Sequence, residues 1–160
     1  MLRATKIVLL ILVALWGLLG GISNLAGYSG GHGQVVSIMA REGAYPAGGP
    51  FIAMSHPVLT HLGYAVIWLG KLLSGGLCLW GSQRLWQARN SDAASFHAAK
   101  SIGLTGCGIA LVMLFGGFIV AGGVYFGMWS SGPGALSHQF ASQFILCMGI
   151  VALFISARND

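Results

Sequence analysis

Residues 7–22 read IVLLILVALWGLLGGI, an unbroken apolar run whose surroundings decide the fold. A water-facing helix keeps a polar side, and this run has none, so lipid must cover whatever protein does not. Arg3 and Lys6 precede it, as in a secretory leader, but no A-x-A-like cleavage site follows Leu19. The stretch therefore reads as a retained span over about residues 7–27. Outward from it, similar runs recur at about residues 58–81, 102–128 and 139–156. A hydrocarbon layer ~30 Å thick takes about 20 helical residues per crossing, so 160 residues hold four spans with modest connections. A composition of 56% hydrophobic and 7% charged residues leaves too little polar surface to cover a soluble domain. The expected fold class is all-α: an integral membrane four-helix bundle, one domain over residues 1–160.

Between the first two spans, residues 28–57 are rich in glycine and contain three of the four prolines, at Tyr45-Pro46, Gly49-Pro50 and Pro57, which predicts a loop. Within it, Gln34 to Met39 is apolar enough for a short helix at the membrane surface, with Arg41 and Glu42 in water. Pro57 suits a first helical turn. After the second span, Arg84, Trp86 and Arg89 mark an interface, and Asn90-Ser91-Asp92 breaks the helix and offers N-caps for the next one. Phe96, His97 and Lys100 lead into the third span, and residues 129–134 (WSSGPG) predict a tight turn before the fourth. Arg3, Lys6, Arg84, Arg89, Lys100 and Arg158 fall on one side of this threading and Arg41 alone on the other. The positive-inside rule then predicts both termini in the cytoplasm of a bacterial inner membrane, with the 28–57 loop and the 129–137 turn outside.

A net charge of +5 with no basic cluster points to topology and not to nucleic acid. Cys78, Cys107 and Cys147 lie in three different runs without a C-x-x-C pair, as packing residues do and a disulfide framework does not. The sequence contains no phosphate-binding loop, nucleophile elbow or paired carboxylates, and the expectation is a protein that is not an enzyme and carries no cofactor. Helices in lipid associate largely through small residues. Gly17 and Gly21 form a GxxxG in the first span and Gly123 and Gly127 another in the third. A seam of Gly103, Cys107, Ala110, Gly117 and Ala121 makes that third helix the expected bundle centre.

Two polar features interrupt the pattern. Lys71 lies well inside the second span, and the acids Glu42, Asp92 and Asp160 all fall outside the membrane. Its ammonium must snorkel toward the headgroups, lose its proton, or meet a carboxylate or anion from elsewhere. The second feature gathers at the outer ends of the helices: Asn24 and Tyr28, then His56, His61 and Tyr64, then His138, Gln139, Ser142 and Gln143. His138 with Ser142 and Gln139 with Gln143 are i,i+4 pairs, which sets a polar stripe on the first turns of the fourth span. Lys71, Asn24, Tyr28, His61, Tyr64, His138, Gln139 and Gln143 are the candidate binding residues. No metal-ligand spacing connects the histidines, and three of Trp16, Trp68, Trp80, Trp86 and Trp129 fall near span ends as an interfacial belt would.

Several patterns together carry a family resemblance: Asn24-x-x-x-Tyr28, Pro57 with His61 and Tyr64, Gly81 ahead of Arg84-Leu85-Trp86-x-Ala88-Arg89, and Phe96-x-x-Ala99-Lys100. The most specific is Gly117-Phe118-x-x-x-Gly122-Gly123-x-Tyr125-Phe126-x-Met128-Trp129. Over nearly its whole length the chain resembles the bacterial predicted small integral membrane protein family, domain of unknown function 2165. The resemblance implies a four-span inner-membrane protein whose biochemical role is not established. Members of that family tend to have glutamate where this chain has Lys71 and Val124, and a Trp-Asn-Gly-Gln-like segment that is absent after Trp129. The inverted charge at position 71 means that a proton-relay role does not carry over.

The leading functional expectation is an accessory or scaffold subunit of a membrane complex. Its partners would be the lipid bilayer and other subunits, or further copies of itself, met through glycine-rich helix faces. One alternative is a small oligomeric transporter or channel using Lys71 and the outer polar cluster; another is a redox protein holding haem, copper or quinone near His61 and His138.

Overall fold

The computed structural model describes residues 1–44 and 52–158. The expected turns at Tyr45-Pro46 and Gly49-Pro50 and the acid Asp160 lie outside the described residues. The described chain forms α1 (Leu2–Ala26), α2 (Tyr28–Met39), α3 (Pro57–Gln87), α4 (Ala93–Ala98), α5 (Ser101–Val112) continued by a π-helical segment (Met113–Tyr125), and α6 (Gly132–Ser156). Four stretches, Leu2–Ala26, Pro57–Gln87, Ala93–Tyr125 and Gly134–Ser156, are long and apolar enough to cross a membrane. The start of α1 and the end of α6 meet at one end of this bundle, here the terminal end, where Lys6 reaches the Ala157 carbonyl, and the turns after α2 and the π segment lie at the other, the loop end.

Local chemistry sets the helix boundaries. Pro57 opens α3, where its missing N–H is no loss, and the His56 side chain accepts from the Val58 N–H at 3.3 Å. Asp92 caps α4 by accepting from Ser95 N at 3.0 Å. Ser131 caps α6 by accepting from Gly134 N at 3.2 Å, so this helix begins at Gly132, about two turns before the start near Gln139 that hydropathy suggests. In the same way α2 is longer than the expected Gln34–Met39 piece. Its glycines disfavour helix in isolation, but Gly31 is needed where α2 crosses α3: a Cβ there would lie 2.1 Å from the Tyr64 hydroxyl.

The bundle centre is α3, not the third span. It packs on α1 along one side and α5 along the other, and glycines bring the backbones together. A Cβ on Gly81 would lie 2.5 Å from the Gly103 Cα, and one on Gly106 2.7 Å from Cys78 Sγ. Leu10, Ala14, Cys78, Leu85, Cys107 and Ala110 fill the space between. The small-residue seam of the third span holds through Ala110 and then leaves the interface, for Gly117 and Ala121 are exposed. From Met113 onward the backbone is π-helical, as in the Phe126 N–H to Ala121 carbonyl bond of 3.0 Å. More residues per turn carry a seam spaced for the α-helix off its face. Of the second GxxxG, Gly123 lies against His138 of α6, while Gly127 takes a positive φ of 68° and ends the helix.

The outside of the bundle is apolar. Leu19, Val112, Ile150 and Leu153 are 64–74% exposed, and such residues recur all around the molecule, far beyond the patches a soluble monomer shows. At the terminal end, polar groups are instead drawn inward. Lys6 and Lys100, 0% and 1% exposed, both donate to the Ala157 carbonyl, and Arg3 donates to the carbonyls of Arg89 and Ser91.

Candidate functional site

Lys71 lies near the middle of α3, about 21 Å along the helix from Pro57 at ~1.5 Å per residue. Its backbone is level with Gly17 of α1, a Cβ on which would touch the Lys71 carbonyl at 2.6 Å. The side chain turns toward α1. It crosses Gly20, where a Cβ would come within 3.3 Å of Cδ and 3.5 Å of Nζ, and holds its ammonium 5.8 Å from the centre of the Trp16 ring. That distance is within the ~6 Å reach of a cation–π contact. Trp16 is fixed in turn by an edge-on contact with Phe144 of α6, ring centres 5.5 Å apart. Among the described residues Lys71 makes no hydrogen bond or ion pair. A lysine at such depth costs about 2.5–3.5 kcal/mol on insertion scales, and the cation–π contact offsets only about 1–2 kcal/mol of it.

Lys71 closes the inner end of a cavity of about 410 Å³ that runs toward the loop end between α3 and the π segment, roofed by α2. Ile38, Met39, Ile67, Met113 and Phe118 make its walls apolar. Asn24, Gln34, Tyr64 and Ser137 line it nearer the loop end: Tyr64 donates to the Asn24 main-chain carbonyl at 2.7 Å and Gln34 to the Ser137 hydroxyl at 2.9 Å, which leaves the Asn24 side-chain amide without a hydrogen bond among the described residues. On the terminal side of Lys71, the Gly17–Gly75 and Gly106–Cys78 contacts close the bundle.

At the loop end, α2 docks on α3 through a ring stack. His32 and His61 lie face to face, centres 3.9 Å apart and planes 4° from parallel. Tyr28 bonds through its hydroxyl to His61 Nδ1 at 2.9 Å and meets the Tyr64 ring edge-on at 5.0 Å. Thr60 gives its proton to the Pro57 carbonyl, so its oxygen accepts from His32 Nε2 at 3.1 Å. Sequence reasoning missed His32 and Thr60. The available signal was the Tyr28-x-x-x-His32 spacing, which shares a helix face only once the glycine-rich segment is read as helix.

Of the candidate residues, the structure brings Asn24, Tyr28, His61 and Tyr64 together and sets Lys71 below them. It does not bring in the α6 residues. His138 lies over Gly123 of the π segment, and Gln139 and Gln143 face out of the bundle. Among the described residues no group of three or more potential metal ligands is found.

Residues 2–158 match a family described as predicted small integral membrane protein, domain of unknown function 2165. No curated protein and no solved structure matches the chain.

Proposed function

The chain belongs to that family of small integral membrane proteins, and from this premise we propose that it is a non-enzymatic accessory or scaffold subunit of the bacterial inner membrane, docking another subunit along α6. The supporting observation is Gln143. It sits next to the midpoint of the 25-residue α6, its side chain exposed on the outside of the bundle, with no hydrogen-bond partner among the described residues. An amide facing hydrocarbon lacks the partners that water would give it, and a hydrogen bond to a polar side chain on a neighbouring helix supplies them. Gln139 and Cys147, one turn to either side, share the exposed face. They extend the contact into a stripe that a single partner helix can cover.

The same reading places both termini in the cytoplasm, supported by the collection of Arg3, Lys6, Arg84, Arg89, Lys100 and Arg158 toward the terminal end against Arg41 at the other. The test of docking uses the native thiol. A maleimide photo-crosslinker on Cys147 in native membranes is expected to capture one discrete partner and to lose it in Gln143→Leu. Absence of any adduct from a strictly monomeric protein, or capture indifferent to that substitution, would overturn the reading. An adduct of twice the chain mass would identify the partner as a second copy.

A further inference from the structure

We propose that the cleft between α3 and the π segment binds a lipophilic carboxylic acid, its carboxylate on the Lys71 ammonium and its apolar body along α2 and the π segment. This site is separate from the α6 face and independent of what docks there.

Three observations converge on that ligand. The cavity of about 410 Å³ falls within the ~300–1,000 Å³ range of small-molecule pockets. Among the described residues that line it, Lys71 is the one that carries a charge. Nearer the loop end, Gln34 is paired with Ser137 and Tyr64 with the Asn24 main chain, so the lining leaves open one neutral amide, Asn24, and one cation, Lys71, which has only the Trp16 ring for company among the described residues. An apolar chamber ending on one unpaired cation matches a monoanion with an apolar tail.

Access is from the side. Val66 on the α3 rim is 58% exposed, and Gly117 and Ala121 on the opposite rim are exposed too. Nothing lies within 4 Å of where a Gly117 side chain would begin. The cleft thus opens toward the lipid, where lipophilic acids partition. A phosphate head is a poorer match, because its further charge would find no second cation among the described lining residues. It would also have to leave its usual depth to reach mid-helix.

The full chain in nanodiscs of neutral lipid is titrated with anthroyloxy-labelled stearic acid and with its methyl ester, which keeps the tail and removes the charge. The acid is expected to bind about tenfold more tightly than the ester or better, the difference a charge-assisted hydrogen bond makes. Lys71→Met should bring the acid down to the ester's affinity and leave the ester unchanged, and Lys71→Arg should restore part of the preference. Gly117→Trp, placed where the structure leaves room, should weaken acid and ester alike by filling the cleft. Equal binding of the two probes by the unaltered protein, or an acid preference that survives Lys71→Met, overturns the proposal. So does zero-length carbodiimide coupling of Lys71 to a protein carboxylate in native membranes, which would assign the ammonium to a partner subunit.

Discussion

Gly17 of α1 and Gly75 of α3 touch main chain to main chain: a Cβ on Gly17 would lie 2.7 Å from the Gly75 Cα, and one on Gly75 2.6 Å from the Leu18 nitrogen. Neither neighbour is a flexible side-chain tip, so an added methyl must push the helices apart. Gly17→Ala and Gly75→Ala should each destabilise the bundle by about 1–3 kcal/mol, the usual effect of overpacking. Gly76, one residue on, faces open space, and Gly76→Ala should be neutral or stabilising by up to about 1 kcal/mol through helix propensity. Unfolding by a denaturing detergent in mixed micelles compares the three. Equal stability of the Gly75 and Gly76 variants would mean that this crossing does not hold α1 to α3.

The docking of α2 gives a second prediction. His32 contributes both a ring face to His61 and a hydrogen bond to Thr60, and such contacts are worth about 0.5–1.5 kcal/mol each. His32→Ala should therefore release α2 before the rest of the bundle. Amide hydrogen exchange is expected to speed up over Tyr28–Met39 while α1 and α3 keep their protection. Uniform acceleration across the molecule would contradict a locally docked α2.

These two cases mark how far the sequence could be read. Hydropathy locates the spans because lipid imposes one simple demand along their whole length, and cap residues such as Asp92 and Pro57 act within a single turn, so a linear reading finds both. The depth of Lys71 follows in the same way, but not its direction. That depends on Gly20 of another helix making room for the stem and on Trp16 receiving the ammonium. His32 escaped notice because its glycine neighbours argue against helix, and the contact that reverses the argument, Gly31 on Tyr64, is tertiary. The outward turn of Gly117 and the isolation of Gln143 from the other polar residues depend on helix rotation, to which the π segment adds a change of pitch.

Asp92 gives the pH dependence its sign. The Ser95 hydroxyl, at 2.7 Å, and then the Ser95 N–H hold its carboxyl below the usual carboxylate range. A pKa depressed by folding adds stability above the unfolded value, and this is lost as pH falls through the folded one. Acidification from about pH 5 to about pH 3, across the ordinary aspartate range, should loosen the α3–α4 connection in the unaltered protein. Asp92→Asn keeps an acceptor for the cap but does not titrate, so its thermal unfolding should change less over the same interval. Identical pH profiles would remove Asp92 from the account.

Lys6 and Lys100 converge from different helices on one acceptor, the Ala157 carbonyl, at 2.7 and 2.8 Å. Ala157 directly follows α6, where carbonyls lack intrahelical partners and the helix dipole favours positive charge. Each ammonium also lies over a ring, Lys6 at 5.7 Å from Phe154 and Lys100 at 5.5 Å from Phe96. Losing either lysine still leaves the carbonyl one donor, so Lys6→Met or Lys100→Met should destabilise by only about 1–2 kcal/mol. Losing both leaves the acceptor without either donor. The double variant should therefore exceed the sum of the singles by about 0.5 kcal/mol or more, a coupling within the range found for residues that share a partner. A double-mutant cycle on equilibrium unfolding measures the difference directly, and strict additivity would show that the two lysines hold the end of α6 independently of the carbonyl they share.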